Sequence, residues 1–133
     1  MSIPRWVEQY VGIPFDTEHN CWWMVFTVLL EQVNITVPKY TETDPKELIK
    51  VAKLMKGERD LGIWTKVEIP KLFDVVQMGA NLENRKAILH TGIMINSTHV
   101  LHIEENIDSV VMPLTSPLIK HRVVGFFRHR ELV

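Results

Sequence analysis

The apolar positions along this chain change period partway through. Over residues 3–11 they fall at Ile3, Trp6, Val7, Tyr10 and Val11, a helical spacing. Pro4 suits a first turn and Gly12 a C-terminal stop, so a helix is predicted over 3–11, followed by a loop from Gly12 to Asp16. A longer apolar run opens at Cys21 and continues to Leu30. With Asn20 as its N-cap it predicts a helix over Cys21–Val33, apolar nearly all round and so packed between layers. A third helix is signalled by Asp44 as cap, Pro45 in the first position and Glu47 completing a capping box; Leu48, Ile49, Val51, Ala52, Leu54 and Met55 form its buried stripe, and Gly57 ends it. After Gly62 the period becomes strand-like. Strands are predicted over Leu72–Met78, Ile88–Ile95, Val100–Glu104, Val110–Leu114 and Arg122–Arg128, with Asn96, Ser97 and Thr98 as the turn between the second and third. Helices first and strands afterwards indicate an α+β domain, with N-terminal helices packed on an antiparallel β-sheet.

Candidate chemistry gathers where these elements meet. Cys21, the one cysteine, opens the central helix, where free N–H groups and the positive end of the dipole favour a thiolate. His90 and His102 lie on the two predicted strands flanking the Asn96–Thr98 turn. If that turn is a three-residue loop, Ile95 pairs with His99 and Gly92 with His102. His90 then becomes the diagonal neighbour of His102 on one face, at roughly 7–8 Å between β-carbons. A two-residue turn would put the two rings on opposite faces. Gly92, between them, would leave room for the helix end carrying Cys21. In that arrangement Cys21 is the nucleophile, His90 the base and later the acid, and His102 the group that orients the His90 ring. The Cys21 backbone N–H would help hold the oxyanion. The thiol pKa is expected below the free value of about 8.5.

Plainer roles compete at each residue. A lone cysteine in an apolar helix is usually a small buried hydrophobe. Cys21, His90 and His102 could also ligate a metal, although no short paired ligand spacing supports it. His99, His121 and His129 read as surface residues, His19 as a loop or cleft-rim residue, and Trp22 and Trp23 as core.

Bulk properties narrow the class. A chain of 133 residues, 46% hydrophobic and 23% charged with a formal net charge of -1, reads as one globular domain over 1–133 with a real core. No basic stripe suggests nucleic acid. The short cluster His121, Arg122, Arg128, His129 and Arg130 reads as a solvated strand end rather than a polyanion site. One cysteine forms no internal disulfide. The N-terminus lacks the pattern of a signal peptide, and the run from Cys21 to Leu30 is too short to span a bilayer, so synthesis as a soluble cytoplasmic protein is expected.

At these residues the chain resembles the NlpC-type cell-wall cysteine peptidases, a papain-like family, and most of all the short members encoded with phage and phage-like tails. Tyr10-Val11-Gly12-Ile13-Pro14-Phe15 resembles the family's Gly-x-Pro-Tyr loop, and Asn20-Cys21-Trp22-Trp23-Met24-Val25 its Asp-Cys-Trp-Gly-Leu-Val nucleophile motif. Phe73-Asp74-Val75-Val76 and His90-Thr91-Gly92-Ile93-Met94-Ile95 resemble its Gly-Asp-Val and His-Val-Gly-Ile strands, and Val100-Leu101-His102 its third-residue strand. Val124-Gly125-Phe126-Phe127-Arg128-His129 looks like the closing strand of the phage-encoded members. The resemblance implies a papain-like fold, with Cys21 as nucleophile, His90 as base, His102 as orienting residue and no cofactor. It implies hydrolysis of peptidoglycan stem peptides by a protein made in the host cytoplasm, assembled with tail-tip or baseplate proteins into the virion tail, and acting at the cell wall. Three positions depart from the pattern. Phe15 replaces a tyrosine whose hydroxyl serves the oxyanion site, a donor whose loss can cost about 100–1000-fold in rate. Asn20 replaces an aspartate and Trp23 a glycine. The rival expectation is a non-catalytic tail-tip or tail-assembly protein on the same fold. A weaker one is a cellular amidase or acyltransferase.

Overall fold

A computed structural model describes residues 3–37, 62–79, 88–104 and 107–132. The helix predicted from Asp44 to Gly57 lies outside the described residues. The rest is an α+β fold: one helix, α1 (Cys21–Val33), against a six-stranded antiparallel sheet. The strands are β1 (Trp64–Val67), β2 (Val75–Gly79), β3 (Ile88–Met94), β4 (His99–Glu104), β5 (Ile107–Pro113) and β6 (Val123–His129), in the spatial order β1-β6-β2-β3-β4-β5. Among the described residues, no helix is long and apolar enough to cross a membrane.

Helix α1 begins and ends where its sequence predicts. The Asn20 side chain accepts from the Trp23 N–H at 2.9 Å, and Asn34 closes the helix in the left-handed region at φ 55°. Trp22, Met24, Val25, Val28 and Leu29 are buried against Val75, Ile93, Leu101 and Ile103 of the sheet. The opposite sheet face carries a smaller cluster of Val76, Met78, Met94, Val100 and Ile119. A sheet covered on both faces explains why β2 is buried along its whole length.

Four elements differ from the sequence reading, among them β5, which begins at Ile107 rather than Val110. The first helix is a 3-10 helix, Arg5–Tyr10, in which Val7 N donates to Pro4 O and the buried pair Val7 and Tyr10 follows the three-residue repeat. The chain then leaves it because Gly12 N donates to Ser109 O and Ile13 N to Ser109 Oγ, both at 2.8 Å, which ties the following loop to β5. β2 starts at Val75 rather than Leu72, because Asp74 folds back to accept from Lys71 N at 2.7 Å and Phe73 takes a positive φ of 72°. Strand β1 was not predicted; four residues are too short for a period to declare itself.

Of the basic cluster near the C-terminus, His121 and Arg130 are exposed as expected, but Arg122, Arg128 and His129 are not solvated. The Asp74 carboxylate accepts from Arg128 Nε and Nη2 at 2.8 and 2.7 Å, and Arg122 pairs with Glu104. His129, expected at the surface, is buried edge-on to Trp64, with ring centroids 5.2 Å apart. β6 inserts between β1 and β2, so its end is an interior position.

Candidate active site

The β3–β4 hairpin sets the geometry of the two histidines. Asn96 Oδ1 accepts from Thr98 N and His99 N at 2.8 and 2.7 Å, which shapes the turn. Ile95 N donates to His99 O, and Ile93 and Met94 pair with Leu101 and Val100. Continued by one residue, this odd-loop register sets Gly92 opposite His102 and puts His90 on the same face. The rings meet there: His90 Nε2 lies 2.8 Å from His102 Nδ1, with centroids 5.1 Å apart. Only 3% of His90 and 1% of His102 is exposed.

Gly92 matters to this pair, but not through the room it was expected to leave for the helix. A β-carbon there would stand 2.6 Å from Val100 Cγ2 and 3.2 Å from the His102 β-carbon. The space belongs to β4. Gly92→Ala should therefore force the hairpin apart and cost about 1–3 kcal/mol. Urea unfolding midpoints check the cost, and histidine ring resonances check that the pair is disturbed.

The outer edge of the pair is charged. His90 Nδ1 lies 3.9 Å from Glu104 Oε2. Both Glu104 oxygens accept from Arg122, whose Nε also donates to Gly79 O at 2.9 Å. His102 Nε2 is buried with no hydrogen-bond partner. Sequence reasoning missed Glu104 and Arg122. The two-residue step from His102 to Glu104 signals a shared strand face, but nothing local says that Arg122 reaches it.

Burial dominates the protonation of both rings. It pushes His90 down to about 3 against the opposing pull of Glu104, and it lowers His102 as well. Burial works to raise Glu104, but the Arg122 hydrogen bonds and the nearby positive charges outweigh it and leave the carboxyl below its ordinary range. A histidine depressed in the folded state takes its proton more readily when unfolded. Stability should therefore fall as pH drops from about 6.5 towards the folded value, by up to about 1.4 kcal/mol per pH unit for each ring. Urea midpoints across that window test this, and His90→Gln should flatten the slope.

Cys21 approaches strand β3 next to His90, at Thr91. Met94 N donates to Asp74 O on the β2 side, so by alternation the Thr91 N–H points towards β4. The β3–β4 ladder reaches only to Ile93, leaving that amide to the Cys21 sulfur. Thr91 Oγ1 makes no formed hydrogen bond, yet it too faces the thiol closely enough to favour the thiolate. Cys21 thus sits in the fork where β3 and β4 part, against Thr91; the preceding residue, His90, pairs with Met78, so by alternation its side chain turns to the sheet face opposite α1. No hydrogen bond joins Cys21 to either imidazole among the described residues. The thiol is 3% exposed, and burial pushes its pKa up, outweighing the Thr91 groups and the Trp22 amide. The lowered thiol expected at a helix start is corrected on that ground: desolvation of a charge exceeds what a few N–H groups return.

His19 Nδ1 is 3.0 Å from Asp16, and the ring stands edge-on to the half-buried Trp23. Phe15 packs on the main core and Trp22 lies within it. Among the described residues, no group of three His, Cys, Asp or Glu side chains is arranged to hold a metal ion. No protein-family model matches the chain, and no curated protein matches it.

Proposed function

We propose that this protein is a cysteine peptidase of the papain-like, NlpC type, acting on peptidoglycan stem peptides as part of a phage or phage-like tail tip. One observation carries the reading: His90 Nε2 lies 2.8 Å from His102 Nδ1, and in the tautomer in which Nε2 donates, His90 Nδ1 is the atom left to receive a proton. In papain-type chemistry the third residue fixes the ring by one nitrogen so that the other serves the thiol. Cys21 gives its proton to His90 Nδ1 and its sulfur bonds to the carbonyl carbon. The oxyanion is held by the Cys21 N–H at the start of α1. Collapse breaks the C–N bond, and the leaving amine takes the proton from His90. Water, deprotonated by the same ring, then hydrolyses the thioester and frees the thiol. The first step needs Cys21 and His90 within hydrogen-bond reach, a contact that in such enzymes often tightens only with substrate bound.

A second reading rests on a different observation. The buried Cys21, with its raised pKa and no bond to His90, suits a tail-tip or tail-assembly protein that keeps the fold and not the chemistry. The two separate on incubation with purified peptidoglycan. Released stem peptides, absent with Cys21→Ala, support the peptidase. No release from a folded wild-type protein supports the structural role.

A further inference from the structure

Glu104 is more than the end of β4. Its carboxylate is held at both oxygens by Arg122, and Arg122 is anchored in turn through Nε on Gly79 O. A carboxylate tied in this way cannot swing to solvent, and one of its oxygens stays 3.9 Å from His90 Nδ1. That is the nitrogen left over by the His90–His102 bond. The charged and titratable groups facing the ring are His102 and Glu104 from β4 and Arg122 from the segment before β6, while Cys21 meets the sheet at Thr91. The β2 residue paired with His90 is Met78, which is uncharged.

We infer that Glu104, fixed by Arg122, is a positioning residue that holds the Nδ1 edge of His90 and stabilises the imidazolium the ring becomes when it takes the Cys21 proton. The inference rests on the peptidase reading and adds a fourth member to its site. Burial disfavours a charged ring, and an opposite charge within about 4–6 Å is the usual remedy. Arg122 keeps that charge in place while reducing its strength, so the carboxylate assists the proton transfer without capturing the proton for good.

The test uses Glu104→Gln, which keeps acceptor and donor atoms for Arg122 while removing the charge, with Glu104→Asp as the conservative variant. Two effects on Cys21 have opposite signs. Acting through His90, the Glu104 charge helps the sulfur lose its proton; acting directly on the sulfur, it repels a thiolate. The inference requires the path through His90 to outweigh the direct repulsion, so the pH midpoint of iodoacetamide labelling of Cys21 should rise by about one unit in Glu104→Gln. The kcat for stem-peptide release should fall about tenfold with KM changed less than about twofold, and Glu104→Asp should recover part of both. A midpoint that stays put or moves down in a folded Glu104→Gln protein would overturn the inference. So would a wild-type Cys21 that labels only after unfolding. A labelling shift between wild type and Glu104→Gln, with no stem peptide released by the wild type, would end the peptidase reading and leave the Glu104–His90 coupling standing.

Discussion

Cys21→Ser and His90→Ala should each reduce stem-peptide release from peptidoglycan by at least about 1000-fold, with folding unchanged. In the proposed mechanism the two residues act in one step, so the double variant should be little slower than either single one. His102→Ala should be milder, because it removes the group that fixes the His90 ring at 2.8 Å rather than the base itself. Phe15→Tyr adds a possible oxyanion donor at the loop before α1, so it should raise the rate if that ring edge turns towards the Cys21 N–H. Particles carrying Cys21→Ser provide the biological comparison. Full infectivity on thick-walled or cross-linked hosts would favour the structural reading, since a tail that needs no nucleophile has no use for a peptidase.

Asp74→Ala should be the most destabilising single change among the charged residues, at about 3–4 kcal/mol by urea unfolding. Its side chain is fully buried and accepts from Arg128 Nε, Arg128 Nη2 and Lys71 N. These bonds shape the turn before β2 and tie it to β6, the strand that joins β1 to the rest of the sheet. Removal strands the Lys71 N–H and leaves the guanidinium without its anion. Asp74→Asn keeps an acceptor for Lys71 and should cost about half as much. A loss below about 1 kcal/mol for Asp74→Ala would mean that the pair behaves as an exposed one, with Arg128 simply turning to solvent.

Both predictions join residues far apart in the chain, and they differ in how visible they were beforehand. The His90–His102 contact was legible because it depends on local matters: a period of two, and a turn whose odd length is set by Asn96, Ser97 and Thr98. The start of α1 was legible for the same reason, since Asn20 caps its own helix. The Arg128–Asp74 pair was hidden, because it requires β6 to lie beside β2, and no local pattern in a strand names its neighbour.

What the sequence by itself determined is therefore the set of elements whose cause is local: α1 from Cys21 to Val33, the antiparallel hairpin and its register, and the α+β class. Tertiary structure decided the rest. It ended the first helix, a 3-10 helix, by drawing Gly12 and Ile13 onto Ser109. It buried His129 beside Trp64 by threading β6 between β1 and β2. It brought Glu104 and Arg122 to the edge of His90. It also reversed the expected direction of the Cys21 thiol. A helix start favours a thiolate whatever surrounds it, but whether that charge survives depends on how much water remains, and only the layers packed over α1 determine that.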